Sequence, residues 1–171
     1  MHACFTPFGV YPNNAIVGGS GTISVGSALF KLSNKKPGVV ICNIGDGSLA
    51  CGPVWEGMVM AAMDQIRQLW GDDFTGMPLI FNINDNFYGM GGQTLGETMG
   101  YGMPARVGAG VSPTQFHAER VDGYNPLAVI DAYPRQLPVP KQDGPVLFDV
   151  VTYRTRGPAP SHSPRHLTRE G

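Results

Sequence analysis

The chain of 171 residues lacks three features that would assign it to a common class: an excess of one charge, a long apolar run and paired cysteines. Its 12 Lys and Arg are balanced by 13 Asp and Glu, so no basic field predicts a nucleic-acid partner. No stretch approaches the roughly 20 consecutive apolar residues of a membrane-spanning helix. The first residues also lack the basic start and apolar segment of a signal peptide. We therefore expect neither a nucleic-acid nor a membrane partner.

The three cysteines, Cys4, Cys42 and Cys51, form an odd, scattered set without a CxxC motif. Such usage fits a reducing compartment better than a disulfide framework. Together with the missing signal peptide, it predicts a cytoplasmic protein, or a mitochondrial matrix protein if the source is a eukaryote. Cys42 lies within an apolar run and is predicted to be a small core residue.

Glycine and proline, in contrast, are abundant at 24 and 15 residues, without the fixed repeat of a collagen. The glycines fall between apolar runs, and hydrophobic residues make up 42% of the chain. This composition predicts one domain with a sizeable core and many tight turns.

Predicted strands and helices alternate along the chain in the order typical of a parallel α/β sheet. The predicted strands are residues 39–43, 78–83, 117–121 and 145–151. The predicted helices are residues 22–32, with a face of small residues for close packing, residues 53–69 and residues 126–133. We therefore predict an α/β fold whose mostly parallel sheet carries helices on both faces.

Two polar loops follow the first two predicted strands and should meet at the carboxyl edge of the sheet, where ligands gather. The first is the run 45–48, GDGS, which precedes a helix. Free backbone N–H groups there would attract a phosphate, and Mg²⁺ would bridge the phosphate to Asp46. The alternative is an ordinary Asp-Gly turn in which Asp46 caps the helix.

The second loop begins with Asn84, Asp85 and Asn86 and continues into a glycine-rich stretch. An amide oxygen and a backbone carbonyl at this strand end would complete, with Asp46, a ligand set suited to Mg²⁺ and a diphosphate. The alternative is an Asx-rich turn whose glycines supply positive φ angles.

Longer blocks around these loops carry a family resemblance. The blocks are GDGSLACGPVWEGMVMAAM, NDNFYGMGGQT, ERVDGYNPLAV and GPVLFDVVTYR, preceded by NNAIVGGSGTISVGSAL. In this order they closely resemble the alpha subunit of the thiamine diphosphate-dependent, decarboxylating component of 2-oxo acid dehydrogenases. The resemblance covers about residues 1–157. It implies a thiamine diphosphate-binding domain over residues 1–153, and residues 154–171 are predicted to be an exposed or disordered tail.

The resemblance implies a site for thiamine diphosphate and Mg²⁺. The metal would be bound by the side chains of Asp46 and Asn86 and by the backbone carbonyl of Tyr88. The remaining cofactor contacts would come from Gly45, Gly47, Ser48 and Gly89 near the diphosphate, and from Ile16 and Val17 along the aminopyrimidine.

The resemblance also implies catalytic histidines. His2 matches a family histidine that faces the active-site channel. The family has a Gly-His-Ser loop after the segment that ends at Arg154. Here His162 either is that histidine, displaced by an insertion, or coincides with it by chance, which bears on lipoyl-linked turnover.

One departure lies beside the predicted metal site. The family usually has Asn where Asp85 stands. This extra carboxylate would either tune the affinity for Mg²⁺ or be solvated.

The implied function is oxidative decarboxylation of a small 2-oxo acid with acyl transfer to a lipoyl group, carried by an acyltransferase partner. The glutamate that activates the cofactor would come from a beta subunit, so this chain would supply half of an active site. Two alternatives stay open: a split transketolase-like or carboligase subunit that uses the same cofactor, and a catalytically incompetent remnant that acts as an interaction domain.

Overall fold

The fold is built on a parallel sheet, as predicted. The computed structural model describes residues 4–11, 13–69, 76–90, 92–100 and 102–154. The strands are β1 (Val40–Gly45), β2 (Leu79–Asp85), β3 (His117–Asp122) and β4 (Val146–Val151). They form one sheet in the order β1-β2-β4-β3, and each neighbouring pair is parallel.

Helices cover both faces of this sheet, which confirms the predicted α/β class. The helices are α1 (Gly19–Ser33), α2 (Gly52–Ala61), α3 (Asp64–Leu69), α4 (Ala105–Val111), α5 (Pro126–Gln136) and α6 (Val139–Gln142). Residues of α1, α2 and α4 share one core cluster with Phe81 and Leu147. Residues of α5 pack on the opposite face against Ile80 and Phe148.

The strand register brings the carboxyl ends of β1 and β2 together. Gly45 is paired with Asn84, and Asp85 is paired with Val151 on the other side. The loops that follow the two strands therefore leave the sheet next to each other, as their polar sequences predicted.

Close packing of α1 on α2 positions the segment before α1. A Cβ at Gly57 would lie 3.1 Å from the carbonyl carbon of Gly21, and a Cβ at Gly18 would lie 2.5 Å from the Cβ of Cys51. Gly18 also has a φ of 84°, which favours glycine. The predicted close packing of the first helix is thus confirmed at its start, whereas Gly26 has no neighbour within 4 Å of a Cβ. This packing brings Val17 next to the loop after β1.

Two local predictions were wrong. The single helix predicted over residues 53–69 is divided into α2 and α3. Asp64 starts the second helix, because a carboxylate is favourable in the first turn of a helix. The loop after β1 is a 3₁₀ helix, Asp46–Ala50, rather than a simple turn.

Several large apolar side chains remain exposed on the helices. They are Ile23 and Phe30 on α1, and Val59, Met60 and Met63 on α2 or directly after it. In the described part of the chain, no helix combines the length and the apolar character that crossing a membrane requires.

Candidate cofactor site

A cavity of about 380 Å³ lies at the carboxyl ends of β1 and β2. Its lining contains eight residues that the sequence singled out: Val17, Gly45, Asp46, Gly47, Ser48, Asn86, Tyr88 and Gly89. Ala50, Met90, Thr98 and Arg154 complete the lining. The two loops thus form one pocket, although they are separated by a strand, two helices and the residues between them.

Asp46 is the acidic residue of this lining. It is the first residue of the 3₁₀ helix and is only 1% exposed. Its Oδ2 accepts a hydrogen bond of 2.6 Å from the hydroxyl of Thr94. It does not cap α2, whose N-cap is Cys51 without a side-chain hydrogen bond, so that alternative for Asp46 is wrong.

Asn86 and Tyr88 are held together by a local turn. The Oδ1 of Asn86 accepts a hydrogen bond of 3.0 Å from the backbone N–H of Tyr88. Between them, Phe87 has a φ of 66°, a left-handed conformation that is uncommon outside glycine. The Asx turn is therefore present, but Phe87 rather than a described glycine of this turn supplies the positive φ. The turn is compatible with metal binding because an amide oxygen has a second lone pair.

Thr94 joins the two loops, and the sequence did not single it out. Its backbone N–H donates to the carbonyl of Phe87 over 2.9 Å, while its hydroxyl donates to Asp46. The side chain is fully buried. The signal in the sequence was a lone threonine after a glycine run, which by itself indicates only a turn.

The donors in the cavity are the hard oxygens that suit Mg²⁺: a carboxylate, an amide and a backbone carbonyl. Among the described residues, no group of three or more His, Cys, Asp or Glu is arranged to hold a metal. A metal in this cavity would therefore rely on the mixed oxygen set of Asp46, Asn86 and Tyr88. These residues fit Mg²⁺ better than a soft metal.

A second acidic group lies under the pocket. Asp85 and Asp149 are both buried, and the Arg120 guanidinium lies 3.9 Å from one carboxylate and 3.5 Å from the other. Burial, and then the negative charges of Asp149 and Asp46, raise the pKa of Asp85 to about 7. Burial also raises the pKa of Asp149, although Arg120 opposes this. The alternative that Asp85 is solvated is therefore wrong.

The other predicted site residues lie apart from the pocket or outside the described part of the chain. Ile16 is 70% exposed, and its N–H donates to the side chain of Asn14. His2 and His162 lie outside the described residues, so their catalytic roles stay predictions.

A larger cavity, of about 480 Å³, lies beside the outer edge of β1. It is lined by residues of the segment 9–14, of α1 and of β1, including Ser20, Ser24 and Asn43, and no described lining residue is charged. Because a diphosphate needs cationic or metal partners, the smaller cavity is the better candidate despite its size.

Comparison with known proteins identifies the family. The family described as "Dehydrogenase E1 component" matches residues 1–168. This chain belongs to the dehydrogenase E1 component family. The parallel sheet and the paired loops described above are consistent with that family assignment.

Three relatives illustrate the similarity within the E1 component family. The alpha subunit of the pyruvate dehydrogenase E1 component of Zymomonas mobilis is 31% identical, over 99% of this chain and 44% of the relative. Its counterpart in Rickettsia prowazekii is 27% identical, over 99% of this chain and 48% of the relative. The alpha subunit of the acetoin:2,6-dichlorophenolindophenol oxidoreductase of Bacillus subtilis is 29% identical, over 92% of this chain and 43% of the relative. This E1 chain thus spans about half the length of the curated relatives it matches.

Proposed function

We propose that this chain binds thiamine diphosphate and Mg²⁺ as the alpha-type part of a 2-oxo acid dehydrogenase. The observation that carries the proposal is the meeting of Asp46 and Asn86 in one cavity, at the ends of neighbouring strands. The similarity to pyruvate dehydrogenase alpha subunits supports the substrate class.

In this proposal each group of the cavity has a binding task. Asp46, Asn86 and the carbonyl of Tyr88 hold the metal, and the metal holds the diphosphate. The backbone of the segment 45–48 lies against the diphosphate at the start of the 3₁₀ helix. Val17, which lines the cavity, contacts the aminopyrimidine. When bound, the cofactor supplies the carbon nucleophile and the electron sink that decarboxylation of a 2-oxo acid requires.

The proposal includes partners. A beta subunit supplies the glutamate that activates the cofactor and covers exposed apolar residues such as Val59, Met60 and Met63. A lipoyl-bearing acyltransferase then accepts the acyl group. The proposed location is the cytoplasm, or the mitochondrial matrix in a eukaryote.

A second candidate function is the cleavage or formation of a carbon–carbon bond with the same cofactor. The similarity to the alpha subunit of an acetoin:2,6-dichlorophenolindophenol oxidoreductase favours it. The test uses the chain with a co-expressed beta subunit and measures reduction of the dye 2,6-dichlorophenolindophenol. The rate with pyruvate as substrate is compared with the rate with acetoin, which distinguishes the two functions. Turnover of acetoin alone would replace the first candidate by the second.

The test of cofactor binding is a thermal melt with Mg²⁺ and thiamine diphosphate, each alone and then together. A ligand at about 100 times its dissociation constant stabilises a protein by roughly 2.7 kcal/mol, which moves the melting temperature by several degrees. We expect this shift only when both ligands are present. Asp46→Asn should abolish it, because the metal loses its carboxylate.

Asp131→Asn is the matched control, since Asp131 is an exposed residue of α5 that pairs with Arg135. It should keep the full shift. If the unmodified chain shows no shift with both ligands, either alone or with its beta subunit, the chain is a remnant and the proposal fails.

A further inference from the structure

Arg154 places a positive charge at the candidate cofactor pocket. It lines the cavity, and its Nη1 donates a hydrogen bond of 2.6 Å to the carbonyl of Gly89. It is the cationic residue among the described lining residues. In the sequence, Arg154 stands at the start of a predicted tail, and no role was predicted for it.

The segment that carries Arg154 is anchored to the fold. The backbone N–H of Thr152 donates to the carbonyl of Asp85 over 2.7 Å. The hydroxyl of Tyr124 donates to the carbonyl of Tyr153 over 3.1 Å, and the ring of Tyr153 packs edge-on against Tyr88. The guanidinium therefore projects from a fixed backbone.

A bound diphosphate would leave unbalanced negative charge in the pocket, which this cation can neutralise. A diphosphate carries more negative charge than one Mg²⁺ balances, and Asp46 adds a further negative charge. A guanidinium has five N–H donors in a planar fork, which suits phosphate oxygens. The bond to Gly89 holds the guanidinium at the wall of the cavity.

We propose that Arg154 is a diphosphate-binding residue, whose guanidinium neutralises the cofactor's diphosphate next to the metal. This inference rests on the proposed function, since it needs a diphosphate in the same cavity. It assigns the metal to Asp46, Asn86 and Tyr88, and part of the remaining phosphate charge to Arg154.

The test measures binding of inorganic diphosphate in the presence of Mg²⁺, and of Mg²⁺ alone, by titration calorimetry. Arg154→Gln should weaken Mg²⁺–diphosphate binding by roughly 10- to 100-fold, the range for a lost charge-assisted hydrogen bond. Binding of Mg²⁺ alone should stay unchanged. Arg154→Lys should recover part of the affinity, because it keeps the charge but not the fork. Arg135→Gln, an exposed arginine paired with Glu119 and Asp131, is the control and should bind as the unmodified chain does.

Each other outcome has a definite meaning. Equal diphosphate affinity of Arg154→Gln and the unmodified chain would overturn the inference and leave the proposed function intact. Equal weakening for Mg²⁺ alone and for Mg²⁺–diphosphate would also overturn it, since Arg154 would then act only by holding Gly89. No binding of Mg²⁺–diphosphate by the unmodified chain, either alone or with its beta subunit, would instead overturn the proposed function.

Discussion

Two acidic groups at the same end of the sheet have opposite surroundings. Asp46 lines the cavity, and a neutral hydroxyl, that of Thr94, holds its carboxylate. Asp85 and Asp149 lie under the cavity, where Arg120 is the nearby cation. Both oxygens of Asp85 lack a hydrogen-bond partner among the described residues.

This difference shows that neighbours, rather than residue type, decide what a carboxylate at a strand end can do. The hydroxyl of Thr94 orients Asp46 without neutralising it, so the carboxylate can still attract a metal. Asp85 faces another carboxylate in a site closed to water, so it destabilises the fold when both are ionised. Substitutions of Arg120, Asp85 and Thr94 should therefore have effects of decreasing size.

The largest effect is expected for Arg120→Gln, which removes the cation from the buried acidic group. Leaving buried carboxylates without a counter-charge should lower the free energy of unfolding at pH 8 by about 3 kcal/mol, as measured by urea denaturation. The loss should be smaller at pH 5, where Asp85 is protonated. Arg135→Gln, which breaks only exposed ion pairs, should cost less than about 1 kcal/mol. Equal losses in the two variants would show that Arg120 is no more than a surface residue.

Asp85→Asn should have the next largest effect, and in the opposite direction. The pKa of Asp85 is raised from 3.8 to about 7 in the folded chain, so its favourable contribution is complete below pH 3.8. That contribution is lost as the pH rises through 7. Without metal, the variant should therefore have a free energy of unfolding at pH 8 that is higher by on the order of 2 kcal/mol.

The advantage of Asp85→Asn should shrink as the pH falls towards 4, which a series of urea denaturations would measure. Asp122→Asn, which removes an exposed carboxylate at the end of β3, serves as the matched control. A constant difference at all pH values would contradict the titration of Asp85.

The smallest effect is expected for Thr94→Val, which removes a buried hydroxyl while keeping the shape of the side chain. Asp46 loses a hydrogen bond whose net value is about 1 kcal/mol. The affinity for Mg²⁺ with thiamine diphosphate should then fall about 5- to 10-fold in a calorimetric titration. Thr22→Val, on the exposed side of α1, should leave it unchanged. Undiminished affinity in Thr94→Val would mean that the hydroxyl does not orient Asp46.

The sequence predicted β2 and β4 well because these two strands are buried on both faces. The apolar runs of β2 and β4 differ from ordinary loops at almost every position, and their predicted bounds lie within two residues of the observed ones. α4 was not predicted, since its ARVGAGV sequence is rich in small residues and has no strong helical period. The division between α2 and α3 was missed because the apolar spacing continues across it.

The pocket was predictable in outline, since the polar loops follow parallel strands in the sequence. The residues that complete it were not, because they come from distant parts of the chain. Thr94 contacts Asp46 from 48 positions away, and Arg154 contacts Gly89 from 65 positions away. The raised pKa of Asp85 also depends on the charge of Asp149, which is contributed by another strand. Contacts between residues so far apart in the sequence cannot be predicted from a local sequence pattern.

Because Thr94 bonds to both loops, the pocket becomes ordered when the chain folds. One residue closes the loop at Phe87 and holds Asp46, so both loops lose their conformational freedom as the chain folds. Restricting a residue's backbone costs about 1–2 kcal/mol of entropy, and here folding rather than ligand binding bears that cost. If the cofactor binds as proposed, it would therefore meet a receptor that is already shaped, and we expect diffusion and charge rather than loop rearrangement to govern its rate of association.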